Sequence, residues 1–128
     1  MRLAQSRLER IGREYQDLLG LGDWHVIFRS APLKNLMGQC NLEPNERRAT
    51  ISVDPRVIKD EPQLRDTVIH ELIHLYFSHT DEYVLSLIRL LYRRNERAVG
   101  EAYDAYSRFR EDAVVRITQA FMRATGAR

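Results

Sequence analysis

Cysteine is all but missing from this chain: Cys40 is the single thiol in 128 residues. One cysteine closes no intrachain disulfide, so the expected compartment is the reducing cytoplasm, with Cys40 read as a small buried hydrophobe. No apolar run approaches the roughly 20 residues that span a bilayer, which argues against a membrane partner. The opening residues, Met1-Arg2-Leu3-Ala4-Gln5-Ser6-Arg7, hold no apolar signal-peptide core. An excess of one charge is also missing. Twenty Lys and Arg stand against 18 Asp and Glu, a net +2. There is no block of five or more like charges, so charge lends nucleic-acid binding little support. Proline stops at Pro62, and beyond it the only glycines are Gly100 and Gly126. The second half is therefore expected to be almost wholly helical and the first half mixed.

What is present fits one globular domain over residues 1–128, with 44% hydrophobic and 30% charged residues. Ala4, Leu8, Ile11, Tyr15, Leu18 and Leu19 recur at helical spacing, predicting a helix over 3–19 that Gly20 and Gly22 end. Residues 24–28 read as a short strand in which Trp24 is a core residue. Residues 38–42 and 47–53 read as the arms of a hairpin turning at Glu43-Pro44-Asn45-Glu46. Asp54-Pro55 breaks the second arm. A helix with Pro62 in its first turn then runs to about His79. Asp81 is placed to cap a helix over 82–92, and a long helix covers about 95–124. The expected class is α+β: an N-terminal helix, a small three-stranded antiparallel sheet, an active-site helix and two further helices.

The residues that carry chemistry are His70-Glu71-Leu72-Ile73-His74. On a helix, His70 and His74 lie about 40° apart and one turn from each other, so two imidazoles face one Zn²⁺. Glu71 is displaced around the helix, where it reaches a water activated by the metal rather than the metal itself. Leu64, Val68, Leu72, Leu75 and Tyr76 form the opposite, apolar stripe. The cofactor expected is zinc, and Glu71 is the expected general base.

A catalytic zinc needs a third protein ligand and an open position. His79, Asp81, Glu82, Glu96, Glu101 and Asp104 are the candidates downstream. Val99, Tyr103, Tyr106, Ala113, Val114, Ile117 and Phe121 define the inward stripe of the long helix, and Glu96 lies roughly 50° from its centre. Glu101 falls on the solvated side. Glu96 is therefore the preferred third ligand, although an acid in a first turn also gains from the helix dipole. His79 stays as the alternative. A continuing helix turns it away from His74.

This motif, with Asn95-Glu96 following 22 positions later, resembles the gluzincin arrangement of two histidines on one helix and a glutamate on the next long one. The resemblance spans roughly residues 24–106 and extends to the minimal metallopeptidases of phages and mobile elements. It also takes in the immunity-type metallopeptidases that cleave repressors, in which a glycine-containing hairpin precedes the zinc helix. It implies a peptide or protein substrate and a proton taken by Glu71, then passed to the leaving amine. It also implies that 47–53 forms the sheet edge along the cleft, to which an extended peptide adds as a strand. The larger gluzincins carry an aspartate four residues after the glutamate ligand, where this chain has Gly100. Asp66, one turn before His70, is the candidate to orient a ligand histidine instead. An oxyanion donor is sought among His79, Tyr83, Tyr92 and Tyr103. SprT-like proteases share the two-histidine helix but use a third histidine and usually carry DNA-binding extensions. They form the alternative reading, together with a regulatory or structural phage protein that zinc only stabilises.

Overall fold

The computed structural model describes residues 1–126 and has the expected α+β order. Helix α1 (Gln5–Leu18) is followed by strands β1 (His25–Ser30), β2 (Gly38–Glu43) and β3 (Arg48–Val53). Helices α2 (Glu61–Ile73), α3 (Ser78–Leu91) and α4 (Glu96–Thr125) complete the chain. Among the described residues, no helix is long and apolar enough to cross a membrane.

The local signals act as their chemistry requires. Asp60 caps α2 by accepting from the Gln63 N–H at 2.9 Å, with Pro62 in the first turn. Asn95 caps α4 through the Ala98 N–H at 3.1 Å, and Gly126, at φ +68°, ends it in the left-handed conformation.

The sheet differs from expectation in two ways. Its order is β1-β3-β2, with β2 antiparallel to β3 but β1 parallel to it, so the sheet is mixed. Strand β3 is therefore central, and β2 rather than 47–53 forms the edge nearest α2. Burial explains the order. In β3, Ile51, Ser52 and Val53 are consecutive and all buried, as a strand flanked on both sides requires, whereas β2 alternates half-buried and exposed residues.

Helix α1 covers the sheet through Leu8, Ile11 and Tyr15, against Val26, Phe28 and Ile51. A Cβ at Gly12 would stand 2.5 Å from the Phe28 ring, so glycine is what lets α1 lie this close to β1. Helix α2 runs through the centre of the protein, with Leu64, Val68, Ile69, Leu72 and Ile73 all fully buried. It does not reach His79. The helix tightens at His74–Phe77 into a 3₁₀ turn, from which α3 departs at Ser78. Tyr76, expected on the apolar stripe, is 53% exposed and donates its hydroxyl to the Leu19 carbonyl.

The loop before β2 is held by Asp54, whose side chain is fully buried. It accepts from the Leu33 N–H at 2.8 Å and the Arg56 N–H at 2.9 Å, while the Asp54 N–H donates to the Met37 carbonyl. The Arg56 guanidinium, then the Leu33 N–H, hold this carboxyl far below the usual carboxylate range. The loop is thereby fixed beside the end of α2.

Gly12→Ala tests the close approach of α1. Overpacking of this kind costs about 1–3 kcal/mol, more than the roughly 1 kcal/mol that alanine returns as helix propensity. The urea midpoint should fall with the slope of the transition unchanged. A raised midpoint would mean that the Phe28 ring yields freely.

Candidate metal centre

Both histidines emerge from the last turn of α2 on one side. His70 belongs to the helix, and His74 is the first residue of the 3₁₀ turn. Their ring centroids are 5.2 Å apart. Both direct Nε2 towards one carboxylate: His70 Nε2 lies 2.6 Å from Glu111 Oε1, and His74 Nε2 lies 3.3 Å from Glu111 Oε2. Among the described residues, His70, His74 and Glu111 form one group whose ligand atoms all lie within 4.8 Å of one another. Two imidazoles and a carboxylate converging on one point make a His₂Glu donor set, and three donors leave a tetrahedral position open.

The carboxylate expected here was Glu96, and the structure does not bring Glu96 to the histidines. Glu96 is the first residue of α4 and exposed. Glu111 stands 15 residues further on, about 22 Å along the helix axis. Height along the axis excludes Glu96, and the inward row of α4 brings Glu111 to the histidines instead. Its fully buried members are Val114, Thr118 and Met122, whereas Ile117 is 44% exposed. Glu111 lies three residues before Val114 and only about 20° from Thr118 around the helix. The spacing Glu111-Val114-Thr118-Met122 was the available signal: an acid on an otherwise inward row.

Among the described residues, none of the other candidates belongs to the group. His79 is exposed on α3, and Glu101 is exposed and bonded to Arg97 at 3.1 Å. Tyr83 and Tyr92 are 66% and 44% exposed, and Tyr103 packs on Tyr106 with ring centroids 5.9 Å apart. Asp66 is exposed but lines the cleft beside His70. Asp81 does not act as a cap. It sits in the first turn of α3 and accepts from the Tyr106 hydroxyl at 2.7 Å and from Arg110 Nη1 at 3.0 Å.

Glu71 is 8% exposed, enclosed between α2 and the edge strand. A Cβ at Gly38 would lie 2.6 Å from Thr67 Cγ2 and 3.1 Å from Glu71 Cγ, so only glycine allows β2 to close over this side chain. Burial, and then the charge of Glu111, push the Glu71 carboxyl up to about 7. Burial is also the main influence on His74 and lowers its affinity for a proton, against the opposing pull of Glu111. Burial, with Glu71 adding, pushes the Cys40 thiol up to about 12, so it stays an uncharged thiol.

Two hollows meet at the Glu71–Glu111 pair. One, of about 260 Å³, has Leu36, Met37 and His70 in its wall. The other, of about 310 Å³, has Gln39, Cys40, His74 and Arg110. A hollow of about 420 Å³ at the far end of α2, beside Glu14 and Arg65, has no histidine in its lining.

In the metal-free protein, Glu71 gives stability a pH dependence. Its folded value of about 7 lies above the ordinary 4.5, so the folded state holds its proton more tightly. The contribution is fully present below pH 4.5 and is lost as pH rises through 7, a change of up to about 3 kcal/mol. Chemical denaturation of metal-free wild type and Glu71→Gln across this range isolates the effect from the histidines. Parallel curves for the two proteins would contradict it.

A model of the SprT-like family matches residues 4–84. The matched stretch contains His70, Glu71, His74 and His79 and ends before α4, so Glu111 lies outside it. No curated protein matches the chain.

Proposed function

The chain belongs to the SprT-like family, and from that premise we propose that it is a zinc-dependent peptidase whose metal ligands are His70, His74 and Glu111. Membership gives the coarser statement, a zinc-metallopeptidase-like domain. The finer reading rests on one observation: both imidazole Nε2 atoms face the Glu111 carboxylate while a second carboxylate, Glu71, is buried beside them without being part of the group. A site that only stabilises a fold has no use for Glu71. The donor chemistry keeps the gluzincin type, two imidazoles and one glutamate, with Glu111 in place of Glu96.

Zinc at such a site supplies Lewis acidity and lowers the pKa of water towards about 7. Glu71, whose proton affinity burial has raised towards neutrality, accepts a proton from the attacking water. It then returns that proton to the nitrogen of the departing amine. Gly38 and Thr67 keep its carboxyl shielded from bulk water. The substrate is an extended peptide or protein segment that pairs along the free edge of β2, with its scissile bond at the meeting of the two hollows.

Purified protein should carry about one zinc per chain. Glu71→Gln should keep the metal and lose roughly 10²- to 10⁴-fold in hydrolysis of an unfolded protein such as casein. Glu111→Ala should weaken zinc binding at least tenfold in competition with a chromophoric chelator. Glu96→Ala and His79→Ala should match wild type. Zinc lost from Glu96→Ala or His79→Ala, but retained by Glu111→Ala, would overturn the ligand set. Full activity in Glu71→Gln would overturn the mechanism.

A further inference from the structure

Glu111 sits where the hold on α4 changes. From Val114 onwards the helix is anchored by Val114, Thr118 and Met122, whereas no residue of 96–113 is buried. The Glu111 carboxylate still stands 2.6 Å from His70 Nε2 and 3.3 Å from His74 Nε2. Side chains reach about 5–6 Å from a helix axis, so a rotation of about 20° moves a group there by about 2 Å. Metal–ligand distances tolerate only about 0.2 Å. A contact on the N-terminal side of Glu111 has to fix the rotation of α4.

Asp81 makes that contact. It accepts from the Tyr106 hydroxyl at 2.7 Å through Oδ1 and from Arg110 Nη1 at 3.0 Å through Oδ2. Tyr106 and Arg110 are one turn and about 40° apart on α4, in a row about 100–140° around the helix from Glu111. Bonds at two heights on one row oppose both rotation and sliding. The Arg110 and Asp81 side chains are only 19% and 17% exposed. Among the described residues, Arg110 has no other ion-pair partner. Its guanidinium also lies over the Tyr106 ring, 5.9 Å from the centroid. Charge-assisted bonds shielded in this way hold geometry better than exposed ones.

The other end of the contact is equally firm. Asp81 follows the buried Ser78 by three residues, and the Ser78 hydroxyl donates to the Leu75 carbonyl at 2.9 Å. The 3₁₀ turn that begins at His74 therefore leads directly into the turn that carries Asp81. We infer that Asp81 is a positioning residue for the metal group: by gripping Tyr106 and Arg110 it sets the rotation of α4 that brings Glu111 to His70 and His74. The inference rests on the ligand set proposed above and gives Asp81 no bond to the metal.

Zinc affinity in competition with a chromophoric chelator tests it, in a double-mutant cycle of Asp81→Asn and Glu111→Ala. Asp81→Asn should weaken zinc binding about tenfold, as loss of support around a ligand does. Tyr106→Phe, which removes one of the two bonds, should weaken it by less. In the Glu111→Ala background Asp81→Asn should cause no further loss, because the carboxylate that it positions is gone. Equal losses in the two backgrounds overturn the inference and leave Asp81 a general brace of the fold. Undiminished affinity in Asp81→Asn overturns it as well. If Asp81→Asn does not fold, Tyr106→Phe runs the same cycle with the same outcomes. A wild type that binds no zinc overturns the ligand set and this inference with it. A wild type that binds zinc without hydrolysing casein overturns the peptidase reading alone.

Discussion

The buried carboxyl of Glu71 is the constraint around which the rest of the site is organised. Charging a group that is 8% exposed is costly, and the cost grows because Glu111 stands close enough to repel it. Gly38 is the residue that makes such burial feasible, since any side chain there would collide with Thr67 and Glu71. Shielding of this kind gives a carboxyl the proton affinity that a base working near neutrality needs. The same desolvation disfavours the protonated form of His74, and a neutral imidazole is the form that binds a metal. Two carboxylates and two imidazoles in one half-buried patch are held together most favourably by a cation among them.

A second polar cluster braces this arrangement. Asp81 accepts from Tyr106 and Arg110, and Arg110 directly precedes Glu111 on α4. The bond pair therefore ties the first turn of α3 to the turn of α4 that carries the carboxylate. Arg110 Nε is buried without a partner among the described residues, so the guanidinium depends on Asp81 for its compensation. Loss of Asp81 would leave a largely buried cation unpaired beside the histidines.

How much was legible depended on sequence separation. His70, Glu71 and His74 could be read because a helical turn alone brings them together. Glu111 follows His74 by 37 positions, and its approach depends on which row of α4 turns inward. A stripe centred on Ile117 puts Glu111 about 120° from its centre, whereas one centred on Thr118 puts it about 20° away. Glu96 fails on height, about 22 Å along the axis from the histidines' level. The three strands were visible as β-prone segments, but their order was not. A hairpin reading pairs 38–42 with 47–53 correctly and says nothing of where the first strand docks. Strand β1 docks parallel to β3, where Ile51, Ser52 and Val53 are buried in succession. The 3₁₀ turn at His74–Phe77 escaped for a related reason: His74-Leu75-Tyr76-Phe77 contains no glycine or proline to mark a break.

The boundary of the family match divides the protein along the same line. Residues 4–84 contain α1, the sheet and the two-histidine helix, and so two of the three members of the His70–His74–Glu111 group. The third arrives on α4, joined to α2 by the 3₁₀ turn and α3. A metal held by His70, His74 and Glu111 would therefore cross-link α4 to the core. Its binding energy would then act as folding energy for the α3–α4 pair. That pair needs the help, because α3 buries only Ser78 and Ile88 and the first half of α4 buries no residue fully.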